Sequence, residues 1–454
     1  MKNKTVTVFT EGKIMGPLIK FALPVLLALF LQTLYGAVDL LIIGQFAEAG
    51  DISAVATGSS LMFTLTSVFI GLSMGTTILM GQNIGQGKTS EAGNVIGSTI
   101  TFFAILGIIV SIIAFILSPQ LASLMQAPEG AFDGTVSYLR ICSVGLIFII
   151  AFNVLGSIFR GIGNSVMPLI TVAISTVCNI IGDLVLIAVF KMGVAGAAIA
   201  TVAAQLISVI LSVIIISKQG LPFKVTRASL KPNKIIIRKI LQLGLPIAFQ
   251  DALVSISFLF ITGIVNTLGL VASASVGVAQ RLSQFIMLVP SAFMQSMSAF
   301  VAQNVGAGKH ERAKKVLYYG IGTSLLVGVV MAYFAFFHGD ILSSIFTRDP
   351  ELIAGAWEYI KAFAIDTLLV SFLFCFIGYF NGYGKTTFVM TQGIAGAFGV
   401  RIPVAYIMSK LFGANLFLVG LSTPSSTVVQ IILCLIVFAL LQRKIKRTAA
   451  EAAV

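Results

Sequence analysis

The sequence predicts an all-α integral membrane protein. Twelve transmembrane helices stand in two six-helix lobes related by a parallel internal repeat, around a V-shaped central cleft. Composition, repetition and the placement of charge predict it. The 454 residues are 57% hydrophobic and 10% charged, with a mean hydropathy of +1.04, far more apolar than a soluble domain. A barrel is excluded because its strands alternate apolar and polar residues, whereas these runs are apolar all round.

About twelve runs reach roughly 20 apolar residues, the length needed to cross hydrocarbon. In the first half they begin near Ile14, Ile52, Ala92, Thr135, Val166 and Val194. In the second they begin near Ile237, Ala274, Val316, Leu352, Thr386 and Asn415. The first run lacks a small-residue cleavage site and is too long for a signal peptide. The 43 Gly and 35 Phe suit helices that approach closely and interlock.

The second half echoes the first. Gly81-Gln82-Asn83-Ile84-Gly85-Gln86-Gly87-Lys88 returns as Ala302-Gln303-Asn304-Val305-Gly306-Ala307-Gly308-Lys309, with Gln303 following Gln82 by 221 residues. Phe159-Arg160-Gly161-Ile162-Gly163 returns as Phe380-Asn381-Gly382-Tyr383-Gly384 at the same offset, and Leu23-Pro24 returns as Leu245-Pro246 one residue out of step. An even number of spans per half makes the repeat parallel and suggests a site between the halves that opens to each side in turn. The expected parts are an N-lobe at 1–217, a linker at 218–236 and a C-lobe at 237–454. The linker is polar and basic and holds Pro222, Lys224, Arg227, Lys231, Pro232 and Lys234.

The net charge of +13 is not a nucleic-acid footprint. Most Lys and Arg lie at the termini or in alternate loops, as in Lys309, Arg312, Lys314, Lys315, Arg443, Lys444, Lys446 and Arg447. The other loops carry Glu48, Asp51, Glu129, Asp133, Asp340, Asp349 and Glu351. This positive-inside pattern places both termini in the cytoplasm. Cys142, Cys178, Cys375 and Cys434 lie inside spans and fit neither a disulfide framework nor a zinc site. His310 and His338 lie at span ends. The GxGK glycines lack Walker spacing, and no nucleophile–base or cofactor motif occurs, so no enzymatic activity is expected.

Acids inside spans are costly, roughly 2.5–3.5 kcal/mol each on insertion scales. Asp39, Asp183, Asp251 and Asp366 are such acids, and Arg281 and Arg401 are candidate partners. Gln32, Tyr35 and Asp39 share one face of the first helix, and Asn179 and Asp183, four apart, share one face of the fifth. Thr201 lies in a small-residue stretch of the sixth. Two carboxylates, an amide oxygen and a hydroxyl suit a hard cation such as Na⁺, and a crowded carboxylate pair is equally a candidate for holding a proton. Pro24 removes a helix hydrogen bond about four turns before Asp39 and is a candidate hinge.

Together, Leu23-Pro24, Gln32, Tyr35, Val38-Asp39, the QN-G-GK box and Phe159-Arg160-Gly161 with Gly163 resemble the multidrug and toxic compound extrusion (MATE) family over nearly the whole chain. The resemblance implies export of organic cations, drugs and other amphipathic toxins, driven by inward movement of H⁺ or Na⁺ across the cytoplasmic membrane of a prokaryote, with no cofactor. In one prokaryotic branch the cation site is an Asp on the first helix, an Asn-x-x-x-Asp pair on the fifth and a Thr on the sixth. Asp39, Asn179, Asp183 and Thr201 match it, so any Na⁺ is expected there. Another branch uses a Glu on the seventh helix and an Asp on the tenth. Asp366 is similar to the latter, but Gln250 stands in the former position and Asp251 lies about 100° around the helix. Substrate contacts are expected at Gln32, Tyr35, Asn153, Gln280 and Asp366. Besides substrate, the expected partners are membrane lipids, and the chain is expected to act as a monomer. The alternative is a lipid-linked sugar flippase of the same superfamily.

Overall fold

In the computed structural model, residues 8–219, 228–413 and 415–451 are described; Pro222, Lys224 and Arg227 of the basic linker lie outside them. Among the described residues there is no strand. Twelve helices are long and apolar enough to cross a membrane. They are α1 (Met15–Phe46), α2 (Gly50–Gly85), α3 (Ser90–Ile116), α4 (Glu129–Gly161), α5 (Val166–Val189) and α6 (Gly193–Lys218). The second set is α7 (Lys234–Asn266), α8 (Leu270–Gly306), α9 (His310–Phe337), α10 (Pro350–Gly382), α11 (Thr386–Phe412) and α12 (Leu416–Glu451). The predicted spans all appear. The fourth and ninth start about a turn and a half early, because polar first turns such as Glu129 and His310 carry no hydropathy signal.

In α2, α4, α8 and α10, 61–67% of the apolar window is buried, against 22–39% in the other eight. These four are therefore the inner helices. On α3, Ile105, Ile108, Ile109, Ile112, Ile113 and Ile116 are exposed, and on α9 so are Leu326, Val329, Val330, Phe334 and Phe337. Rows of that kind need lipid around them.

The repeated motifs are helix-ending turns. Gly87, Gly163, Gly308 and Gly384 all have φ between 70° and 82°, where a side chain would be strained. Behind each, the next residue's N–H reaches back to close the last turn: Lys88 to Asn83 O (3.0 Å), Asn164 to Phe159 O (2.9 Å), Lys309 to Asn304 O (2.8 Å) and Lys385 to Phe380 O (2.9 Å). This 6→1 closure over a left-handed glycine satisfies carbonyls that would otherwise be orphaned. The echo that marked the duplication is thus the stop signal of α2, α4, α8 and α10.

The chain forms two compact units, one built on Lys20–Ala248 and the other on Thr10–Ile19 with Phe249–Val454. Their seam falls inside α1 and α7, whereas the sequence places the division at the linker. In the first unit, Gly71 and Gly75 form a GxxxG face on α2 that meets Ile240, Gly244 and Ala248 of α7; a Cβ on Gly71 would stand 2.7 Å from Ala248 Cα. Small residues at both faces let the two backbones touch. Thr101 Oγ1 donates to Leu230 O (2.7 Å), fixing the end of the linker on α3. In the second unit, Lys309 Nζ donates to Thr10 O (3.0 Å). Arg312 donates to Gly12 O (2.7 Å) and Glu11 O (2.8 Å). The basic end of one box therefore holds the backbone that leads into α1.

Candidate functional site: two buried polar clusters

Four helices of the first unit converge on one polar cluster. α1 brings Tyr35 and Asp39, four residues apart. α5 brings Asn179 and Asp183 at the same spacing, and α6 brings Thr201. Asp39 has Asp183 and Asn179 as its polar neighbours, and Tyr35 has Asp39, Thr201 and Asp183. α4 adds Tyr138 and Cys142, with Tyr138 beside Thr201, Asp39 and Tyr35. Asp39 is 5% exposed, Asn179 and Asp183 0%, and Tyr138 3%.

Local packing explains how they meet. A Cβ on Gly58 of α2 would stand 2.5 Å from Tyr138 Cδ1, so only glycine there leaves room for the ring. A Cβ on Gly182 would stand 3.0 Å from Ala200 Cβ, so α5 and α6 approach closely beside Asp183 and Thr201. Directly after Asp183, α5 widens into a π turn at Leu184–Val189. Such turns concentrate at functional sites because they re-aim side chains at some loss of helix regularity.

The cluster is polar without being satisfied. Tyr35 Oη, Asp39 Oδ1, both Asn179 amide atoms, both Asp183 oxygens and Thr201 Oγ1 are buried without a hydrogen-bond partner of ordinary geometry. No Lys, Arg or His is among the groups acting on the two carboxylates. Buried polar atoms are normally paired, and a buried carboxylate pair calls for positive charge. The donors are chiefly oxygens, which fits H⁺ or a hard cation rather than a soft metal.

The second unit holds a different cluster. Tyr359 on α10 stands 221 residues after Tyr138 and is 0% exposed. It lies near Asp366, on its own helix, and Arg401. Arg401 closes a π turn in α11, Ala397–Arg401. It donates to Ser257 Oγ on α7 (3.0 Å), and its guanidinium carbon lies 4.4 Å from the centre of the Phe258 ring. Asp366 has Thr427 of α12 and Arg401 as neighbours.

The remaining candidates are scattered. Gln32 is exposed. Asn153 Nδ2 donates to Ile149 O of its own helix (2.8 Å), and Gln280 Nε2 reaches Thr262 Oγ1 (3.3 Å), tying α8 to α7. Gln250 is 8% exposed and packs against Gly393, while Asp251 and Arg281 are exposed. Pro24 sits inside an unbroken α1. Tyr138 escaped the sequence reading, and Cys142 was read only as one of four cysteines inside spans; their signal was a hydroxyl and a thiol one turn apart in an apolar span.

The MatE family model matches residues 24–185 and again 246–407. The chain belongs to the MatE family. Its two matches restate the internal repeat, one in each half, and make the protein a multi-pass membrane transporter rather than an enzyme. Among curated relatives it is 26% identical to the probable multidrug resistance protein YoeA of Bacillus subtilis (strain 168), over 91% of each chain. It is 27% identical to the multidrug export protein MepA of Staphylococcus aureus (strain bovine RF122 / ET3-1), again over 91% of each. Among solved structures it shares the fold of an outward-facing multidrug resistance MATE family transporter of the MOP superfamily, with a TM-score of 0.92 and 19% identity over 98% of this chain and 100% of that one.

Proposed function

We propose that this MatE protein exports organic cations, drugs and other amphipathic toxins by alternating access, as an antiporter driven by H⁺ or Na⁺ entering at Asp39, Asn179, Asp183 and Thr201. The observation that carries this reading is the pair of buried carboxylates with no cation beside them. Export of drugs is supported by the family and by relatives named for multidrug resistance. The protein works as a monomer in the cytoplasmic membrane of a prokaryote, with both termini inside, and needs no cofactor.

The chemistry follows from charge. With the site empty, α1 and α5 carry opposed carboxylates in a low-dielectric interior. Arrival of H⁺ or Na⁺ removes the repulsion and lets Asp39 and Asp183 draw together with Asn179 and Thr201. α1 transmits the movement, because Pro24 supplies no N–H to the helix ladder and leaves a flexible point there. Tyr35, one turn from Asp39, moves with it, and Gln32 lies on the same helix. A drug held by those groups then loses contacts and leaves. To turn an even drug-bound population to about 99:1, the ion must change relative affinity about a hundredfold, roughly 2.7 kcal/mol.

The test is the affinity of purified protein for a fluorescent organic cation across pH 5–8, with and without Na⁺. Affinity should fall as the coupling ion is supplied. An affinity indifferent to both ions overturns the coupling scheme and leaves the family membership untouched.

A further inference from the structure

The cluster around Asp366 is unused by this mechanism, and its one cation belongs to the chain. Asp366 is 1% exposed and Arg401 6%. The groups that face Asp366 are Tyr359 on α10, Thr427 on α12 and Arg401 on α11. Arg401 is fixed by Ser257 and Phe258 on α7. Among the described residues no ion pair closes between Arg401 and Asp366, and Arg401 Nε, Asp366 Oδ1 and Tyr359 Oη remain without hydrogen-bond partners. The pair attracts through a low-dielectric interior, where charges act on each other over more than contact distance.

Comparison with the first unit gives this arrangement a meaning. Tyr138 and Tyr359 occupy equivalent places in the repeat, and so do Thr201 and Ser422. α5 and α11 each carry a π turn beside a buried charge, though not at the same repeat position: Asp183 precedes the turn of α5, and Arg401 ends the turn of α11, where the first half has Ile180. The helix plan is shared, and the second half adds a buried arginine where the first has only acids. We infer that Arg401 is a tethered cation: it does for Asp366 what an ion from solution does for Asp39 and Asp183, so the second lobe exchanges no ion. The role assigned to Arg401 rests on the proposed ion site of the first lobe only as its counterpart, and it is tested without drug.

The experiment counts ions on purified protein, by equilibrium ²²Na⁺ binding and by proton uptake in weakly buffered solution. Asp366→Asn should leave the wild-type count unchanged, because Asp366 already has its cation. Arg401→Gln should gain one further ion, Na⁺ or H⁺, per chain. Arg401→Lys should gain none, and the Arg401→Gln, Asp366→Asn double variant should lose the gain. A lower count in Asp366→Asn, or no gain in folded Arg401→Gln, overturns the proposal. Should Arg401→Gln not fold, the Asp366→Asn count still decides. A wild type that binds no ion would defeat the coupling scheme of the first lobe and leave the predicted gain in Arg401→Gln to be read on its own.

Discussion

The two halves of this protein share one helix plan and differ in their buried charge. Each ends its inner helices on the same glycine turn, each carries a buried Tyr at the same repeat position, and each widens its fifth helix into a π turn. Yet the first half gathers two acids with no base, and the second sets one acid within the field of an arginine without a closed ion pair. Duplication supplied the helix plan, and the buried charged residues differ between the halves. On the proposal above, the acid pair without a cation exchanges ions with solution, and the acid facing a built-in arginine does not.

Removing a first-lobe acid should have the largest effect. Asp183→Asn keeps the shape of the side chain and removes its charge. Drug resistance in an expressing strain should fall at least about tenfold, toward the empty-vector level, while membrane insertion is retained. Asp39→Asn should match it, and the double variant should be no worse, because residues of one site do not act additively. Wild-type resistance in either variant would make the two lobes alike in being structural.

Pro24→Ala comes next. Restoring the helix hydrogen bond should stiffen α1, slowing drug efflux from loaded vesicles several-fold while equilibrium drug affinity changes little. Pro246, its echo in α7, opens the second half of the repeat, for which we propose no ion exchange. Pro246→Ala should slow efflux less, and equal slowing would break the asymmetry.

Gly58→Ala probes the packing that seats Tyr138. The added methyl would push the ring, and overpacking of this kind typically costs about 1–3 kcal/mol. Thermal unfolding should shift down by a few degrees, with a parallel fall in ion affinity. Ala279, the echo of Gly58, already carries a methyl, so Ala279→Gly should leave ion binding unchanged. Tyr138→Phe is gentler. Loss of one hydroxyl is worth about 0.5–1.5 kcal/mol, so ion affinity should weaken by a few-fold only.

The smallest effect concerns sidedness. A cysteine introduced at Asn233, whose side chain caps the start of α7, should react with a membrane-impermeant thiol reagent only from the cytoplasmic face and leave transport intact. Reaction from outside intact cells would invert the topology of both lobes together.

Most of the architecture was legible because a membrane simplifies the code. A span must be apolar over its whole length and satisfy its backbone internally, so runs such as the isoleucines of α3 declare themselves. The charge that stays outside declares the loops. The glycine turns were legible as repeats, though not as left-handed helix stops. The acid cluster was half legible: Asp39, Asn179 and Asp183 stand out because polar residues in hydrocarbon are rare and their helical spacing gives each a face. Tyr138 was not, since tyrosine in a span is unremarkable until its neighbours are known.

By itself, then, the sequence determined the number of helices, the duplication, the placement of charge along the chain and the identity of the intramembrane acids. Each is a property of composition or of spacing along one helix. The tertiary structure alone decided what those acids face. The glycine at position 58 admits Tyr138 to the first cluster, Arg401 on α11 acts on Asp366 of α10 through space, and Asp251, equally acidic on paper, is left exposed. Such outcomes depend on the rotation and separation of helices distant in the chain. Those are fixed by apolar packing between residues far apart in the chain, which no local pattern records.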